Sequence, residues 1–223
     1  VLESTSSINS NKFRSMDSTH SPRIGILGGG QLGKMLCQAG ADWHLPIHVL
    51  EQNHSFPATT YATVFHRGDF RSKADVLEFG RKMDVVTIEI EHIDTAALHQ
   101  LVAEGIKVYP QPDKIDLIKD KGLQKQFYAD HSIATSSFAL YAGAKEVKEA
   151  VEAGDVSLPF VQKARTGGYD GQGVAVIRDA ADLEEKILDV PCVVEPLVDI
   201  DKELAVIVTR NPSGELRVFP TVE

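Results

Sequence analysis

Cysteine is nearly absent from this chain: Cys37 and Cys192 are the only two in 223 residues. Nothing in their spacing suggests a disulfide framework or a metal site, and both read as small apolar filler in a reducing compartment. Long apolar runs are missing too. None approaches the roughly 18 residues needed to span a bilayer, so neither a membrane nor a membrane location is expected, and the chain is taken as cytoplasmic. Positive charge is in the minority, with 23 Lys and Arg against 32 Asp and Glu and a net charge of -9. That balance lacks the basic footprint of a nucleic-acid binder. A protein this acidic can hold phosphates only with local cations and backbone amides. What is present, 43% hydrophobic and 25% charged residues, describes a globular chain with material for one large domain or two small ones.

Residues 1–21 are rich in Ser, Thr and Asn, lack a hydrophobic period and read as a disordered leader. Glu3, Asp17 and a lone Arg14 set that leader apart from an Arg-rich, acid-poor transit peptide. Order is expected from Arg23. A strand at 23–27, the turn GGGQLG and a helix follow, with Gly28, Gly30 and Gly33 at GxGxxG spacing and Glu51 closing the next strand. This pattern fits a dinucleotide site with Glu51 on a ribose, and equally a tight strand-to-helix crossing. Strands at 64–67, 84–90 and 106–110 alternate with helices at 72–82 and 94–104, the rhythm of βα units feeding a parallel sheet. At the end of the 84–90 strand, Glu89 is a candidate ligand contact or a helix N-terminal acid, and His92 reads as structural.

From Pro110 the character changes. A helical linker carries Lys114, Lys119, Lys121 and Lys125, read mostly as a solvated face. An α+β lobe follows, with strands near 137–141, 158–164, 173–177 and 192–198, then two strands joined by a turn at 211–214. At its centre is VQKARTGGYDGQGVAVI, residues 161–177: a strand carrying Lys163, then four glycines in seven residues. Such a loop can lay backbone N–H groups against phosphate oxygens, because glycine accepts positive φ and has no Cβ to hold a ligand away. A hairpin with a flexible tip would look the same. Lys163 before the loop and the acids of VVEPLVDIDKELAVIV after it favour a nucleoside triphosphate.

These motifs in this order, GGGQLGKML, EIEH, DKGLQKQF, QKARTGGYDGQG and VVEPLVDIDKELAVIV, resemble the 5-(carboxyamino)imidazole ribonucleotide synthases of the ATP-grasp superfamily over residues 22–223. The resemblance implies an α/β fold: a Rossmann-like pre-ATP-grasp domain at 22–110, then an ATP-grasp domain at 111–223 whose second lobe is truncated. It implies a carbon–nitrogen ligase that uses ATP and bicarbonate to carboxylate 5-aminoimidazole ribonucleotide in purine biosynthesis, and a homodimer when complete. Lys163 would meet the ATP phosphates and Gly168, Tyr169, Asp170, Gly171, Gln172 and Gly173 would cover them, with Lys163, Tyr169 and Asp170 catalytic. Glu195, Pro196, Leu197 and Val198 would form the adenine hinge, and Glu203 would take the ribose hydroxyls. Lys121 stands where relatives carry arginine, keeping the charge without the planar fork. Gln31 and Glu89 would hold the ribonucleotide. Ile200 and Ala205 replace the family's usual Phe and Ser. The resemblance implies Mg2+ as well, with its ligands expected beyond the end of this chain. Three alternatives stay open: a formate-dependent glycinamide ribonucleotide transformylase, an NAD-dependent oxidoreductase and a non-catalytic nucleotide-binding fragment.

Overall fold

The computed structural model describes residues 21–168 and 173–223. The chain divides after Lys119 into two compact units. The leader expected at 1–21 lies outside the described residues except for Ser21, as do Tyr169, Asp170, Gly171 and Gln172 of the glycine loop.

The first unit is a five-stranded parallel sheet: β1 Ile24–Leu27, β2 Ile47–Glu51, β3 Val64–Arg67, β4 Val85–Ile88 and β5 Lys107–Tyr109, in the order β3-β2-β1-β4-β5. Helices α1 Gln31–Asp42, α2 Lys73–Gly80 and α3 Thr95–Ala103 form the crossovers. Alternation along the strands sends apolar side chains both ways. Ile26, Ile47 and Val49 pack with Cys37 of α1, while Leu27, Leu50 and Val86 meet Phe79 of α2 and Leu98 and Leu101 of α3. Both faces are therefore covered, as a parallel sheet requires. Ser72 and Asp94 cap α2 and α3 through their side-chain oxygens.

The boundary differs from the one expected after residue 110. Helix α4, Pro112–Lys119, belongs to the first unit: Ile115 is fully buried in its core, His99 Nε2 and Asp116 Oδ2 are 2.7 Å apart, and Lys119 Nζ donates to the Ile93 carbonyl at 2.8 Å. What reads as one helical linker is two helices, because the Asp120 backbone leaves helical geometry and caps α5, Lys121–Asp130. Its Oδ1 accepts from Gly122 N at 2.7 Å and Leu123 N at 3.2 Å.

The second unit is built on an antiparallel sheet of β6 Ala139–Tyr141, β7 Phe160–Ala164, β8 Val174–Ile177 and β9 Cys192–Pro196, in the order β6-β9-β7-β8. Helices α6 Ala144–Ala153 and α7 Ala180–Glu185 bury Val147, Ala150 and Leu183 against Phe160, Ala175, Ile177, Cys192 and Val194. Gln162 shares that apolar face yet is fully buried, because its amide closes a ring with Leu188: Nε2 donates to the carbonyl and Oε1 accepts from the N–H, both at 2.8 Å. A buried amide satisfied at both ends avoids the cost of an unpaired polar group. The hairpin β10 Val208–Arg210 and β11 Leu216–Val218 pairs with itself alone among the described strands, and its residues are exposed.

Candidate functional site

Strand β7 alternates buried and half-buried residues from Phe160 to Ala164, so Val161 and Lys163 point away from the α6–α7 core. Register pairs Val161 with Glu195 and Lys163 with Val193 on β9, which places Lys163 and Glu195 on the same face of neighbouring strands. There Lys163 Nζ stands 2.6 Å from Glu195 Oε2. A second lysine, Lys125 of α5, reaches Glu195 Oε1, and the Ser136 hydroxyl donates to that same oxygen. Lys125 Nζ also donates to Thr135 Oγ1 at 2.5 Å and Ser136 Oγ at 3.1 Å. One buried carboxylate thus faces two ammonium groups. Oε2 accepts no aligned hydrogen bond among the described residues, so Lys163 meets it as an ion pair.

Burial alone would push the Glu195 carboxyl up; the Lys125 and Lys163 ammonium groups and the Ser136 hydroxyl outweigh it and hold the group at about 2. The cluster carries an excess of one positive charge on the strand that leads into the glycine loop. Arg165, the next residue after β7, donates in fork fashion to Asp120, Nε to Oδ1 at 2.9 Å and Nη2 to Oδ2 at 2.7 Å, while Lys121 N donates to the Arg165 carbonyl at 2.9 Å. The residue that caps α5 therefore also ties that helix to the root of the loop. Lys121 opens the same helix beside it.

Of the expected nucleotide-site residues, the structure brings Lys163 and Glu195 into contact and places Gly168 next to Gly173, where a Cβ would sit 3.3 Å from the Gly168 Cα. Pro196 ends β9, and Leu197 and Val198 follow it exposed, the Leu197 N–H donating to the Pro159 carbonyl at 3.3 Å. Glu203 lies on an exposed stretch and makes no hydrogen bond or ion pair among the described residues. Lys125, one of four lysines expected mostly to form a solvated face, departs from that expectation: its side chain is only 14% exposed. The helical spacing of four lysines hid it, and the signal that could have found it is the break at Asp120, which sets the face α5 turns to the sheet. A cavity of about 380 Å³ in this unit is lined by Phe138, Leu158, Phe160 and Val194, and shares only Glu195 with the charged cluster.

In the first unit, Glu89 stands over the glycine turn. A Cβ at Gly30 would fall 2.5 Å from Glu89 Oε1, and one at Gly28, whose φ is +104°, 2.7 Å from Oε2. Gln31 begins α1 directly after Gly30. Of the two readings open for Glu51, a ribose acid or part of a tight crossing, its surroundings favour the structural one. It is 2% exposed, and its carboxylate accepts from Gly29 N at 3.0 Å and Gln52 N at 2.7 Å. With the Gly29 amide taken by Glu51 and the Glu89 carboxylate beside Gly28 and Gly30, the turn sets negative charge where a pyrophosphate would have to approach.

Among the described residues, no group of three or more His, Cys, Asp and Glu is placed to hold a metal ion, and no helix is long and apolar enough to cross a membrane. Glu195, the acid nearest Lys163, is already engaged by two ammonium groups. The residues described here do not fit a magnesium site.

The chain matches the model of the ribonucleotide synthetase pre-ATP-grasp domain over residues 22–119 and that of the ATP-grasp domain over 126–223. It is 38% identical over 209 residues to a phosphoribosylaminoimidazole carboxylase of Ogataea methanolica, covering 91% of this chain and 38% of that one. An N5-carboxyaminoimidazole ribonucleotide synthase of Synechococcus elongatus is 32% identical over 203 residues, covering 90% and 51%. Among solved structures, the N5-carboxyaminoimidazole ribonucleotide synthetase of Thermotoga maritima superposes with a TM-score of 0.80 at 33% identity over 90% of this chain and 52% of that one. An Aspergillus clavatus N5-carboxyaminoimidazole synthase in complex with ADP and 5-aminoimidazole ribonucleotide gives 0.79 at 29%, over 90% and 53%. The chain thus spans from little more than a third to about half the length of these relatives. It belongs to the ribonucleotide synthetases of the ATP-grasp superfamily, a pre-ATP-grasp domain followed by an ATP-grasp domain, and is similar to the N5-carboxyaminoimidazole ribonucleotide synthases among them.

Proposed function

We propose that this chain carries the ribonucleotide-binding domain and the nucleotide-binding part of a cytoplasmic carbon–nitrogen ligase, one that carboxylates 5-aminoimidazole ribonucleotide with ATP and bicarbonate. The observation that carries the reading is the pair of lysines on Glu195 at the root of the glycine loop. It leaves one cation in excess where a polyphosphate would lie under backbone amides. Bicarbonate is a poor electrophile. Transfer of the γ-phosphoryl group to it gives ADP and carboxyphosphate, which releases carbon dioxide and phosphate; the amine then takes up the carbon dioxide and loses a proton. Little covalent work falls to the protein, which aligns the reactants and offsets their negative charge.

In this reading Lys163 meets the transferred phosphates, assisted by Lys121. Gly168, Tyr169, Asp170, Gly171, Gln172 and Gly173 close over them and keep water from the labile intermediate, with Tyr169 and Asp170 turned also to the aminoimidazole. The hinge from Glu195 to Val198 receives the base, Glu203 the ribose, and Gln31 and Glu89 the ribonucleotide. The complete protein is a homodimer. The magnesium that ATP chemistry uses is assigned no ligand here. Accordingly, the 223-residue chain makes no ADP from ATP, bicarbonate and aminoimidazole ribonucleotide, whereas a form extended to the length of its bacterial relatives turns over only with all three present. ADP release by the short chain, abolished by Lys163→Ala, would contradict this division of labour.

A further inference from the structure

The two lysines on Glu195 are not equivalent. Lys125 has three partners, an ion pair to Glu195 Oε1 and hydrogen bonds to Thr135 Oγ1 and Ser136 Oγ, and its side chain is 14% exposed. Lys163 makes one contact among the described residues, at Glu195 Oε2, and is 36% exposed. A saturated, buried ammonium stays where it is. One with unused donors and access to solvent can turn to a new anion, provided the carboxylate it leaves is still neutralised. An uncompensated buried carboxylate would hold it back, since removing one partner of a buried pair is costly.

We infer that Lys125 is a positioning residue: it keeps Glu195 neutralised so that Lys163 is released to the phosphates of a nucleoside triphosphate. The inference rests on the nucleotide-site reading above and adds a residue to it. Glu195 then has a second role besides opening the hinge, as a resting place for Lys163 while the phosphates are absent. Without Lys125, the Lys163 ammonium becomes the sole counter-charge of a buried carboxylate, and phosphate must compete for it.

The test is calorimetric titration of the full chain and its variants with ATP and, in parallel, adenosine. Lys125→Gln weakens ATP at least about tenfold while leaving adenosine within about twofold, a selectivity loss that a folding defect does not produce. The double variant Lys125→Gln/Glu195→Gln recovers most of the lost ATP affinity, because no charge remains to capture Lys163, and Lys125→Arg stays within a few-fold of the parent. If Lys125→Gln does not fold, the double variant, which removes both charges, carries the test: an ATP-to-adenosine preference close to the parent's supports the inference, and its loss overturns it. ATP affinity unchanged in Lys125→Gln, while Lys163→Ala loses it, overturns the inference and leaves the nucleotide site standing. ATP affinity that is undetectable in the parent chain, or unchanged in Lys163→Ala, overturns the nucleotide reading and the inference with it.

Discussion

Glu195 is the residue at which burial and charge compete most sharply. At 4% exposed it would resist ionisation, yet two ammonium groups and a hydroxyl hold its carboxyl at about 2 against an ordinary 4.5. A carboxyl lowered in the folded state adds stability above its unfolded value and loses it as pH falls towards the folded one. The fall from 4.5 to about 2 corresponds to about 3 kcal/mol, complete at neutral pH and mostly gone by pH 3. Urea denaturation of the parent and Glu195→Gln should therefore show a stability gap that narrows by about 2 kcal/mol from pH 7 to pH 3. The same gap at both pH values would show that the two lysines do not set the ionisation of Glu195. Lys163 was legible in the sequence as a candidate because it is a cation on a strand that runs into four glycines in seven residues. Lys125 was not, because four lysines on neighbouring helical turns look alike until the face of the helix is known.

At the scale of the element, the break at Asp120 decides what α5 does. One side chain ends the preceding run, caps the new helix through Gly122 and Leu123, and receives Arg165 from the end of β7. Removing an N-cap costs on the order of 1 kcal/mol, and a half-buried bidentate pair adds to that. Asp120→Ala should then destabilise the chain by about 2 kcal/mol, and Asp120→Asn, which keeps a capping oxygen, by about half as much in urea denaturation. Equal losses would mean that the cap contributes nothing. The βα rhythm of the first unit was readable from its alternating strands and helices. The boundary was not, since α4 has the polar composition of a linker and buries only Pro112 and Ile115. The glycine turn was ambiguous for a physical reason: GxGxxG records a close crossing, whereas the ligand is decided by the side chains above it. Glu89 and Glu51 supply that decision, so calorimetry should detect no binding of NAD or NADP. Micromolar affinity for either, lost on Gly30→Val, would restore the dinucleotide reading.

For the whole molecule, charge and topology agree. A chain of net charge -9 concentrates two lysines on one buried acid, and it does so on the face of an antiparallel sheet that α5 meets, opposite the face covered by α6 and α7. The order β3-β2-β1-β4-β5 followed by β6-β9-β7-β8 is that of an α/β domain succeeded by an α+β lobe, as the strand spacing indicates. The hairpin β10–β11 is less informative in sequence, because its apolar residues, Val208, Leu216 and Val218, are exposed rather than folded onto the sheet. The central claim is that the second unit binds a nucleoside triphosphate through Lys163. Calorimetric titration of ATP into the parent chain and into a folded Lys163→Ala variant tests it most directly. A charge-assisted contact of about 1.5 to 3 kcal/mol predicts roughly a ten- to hundredfold weaker affinity in the variant; equal affinity in the two proteins would contradict the site.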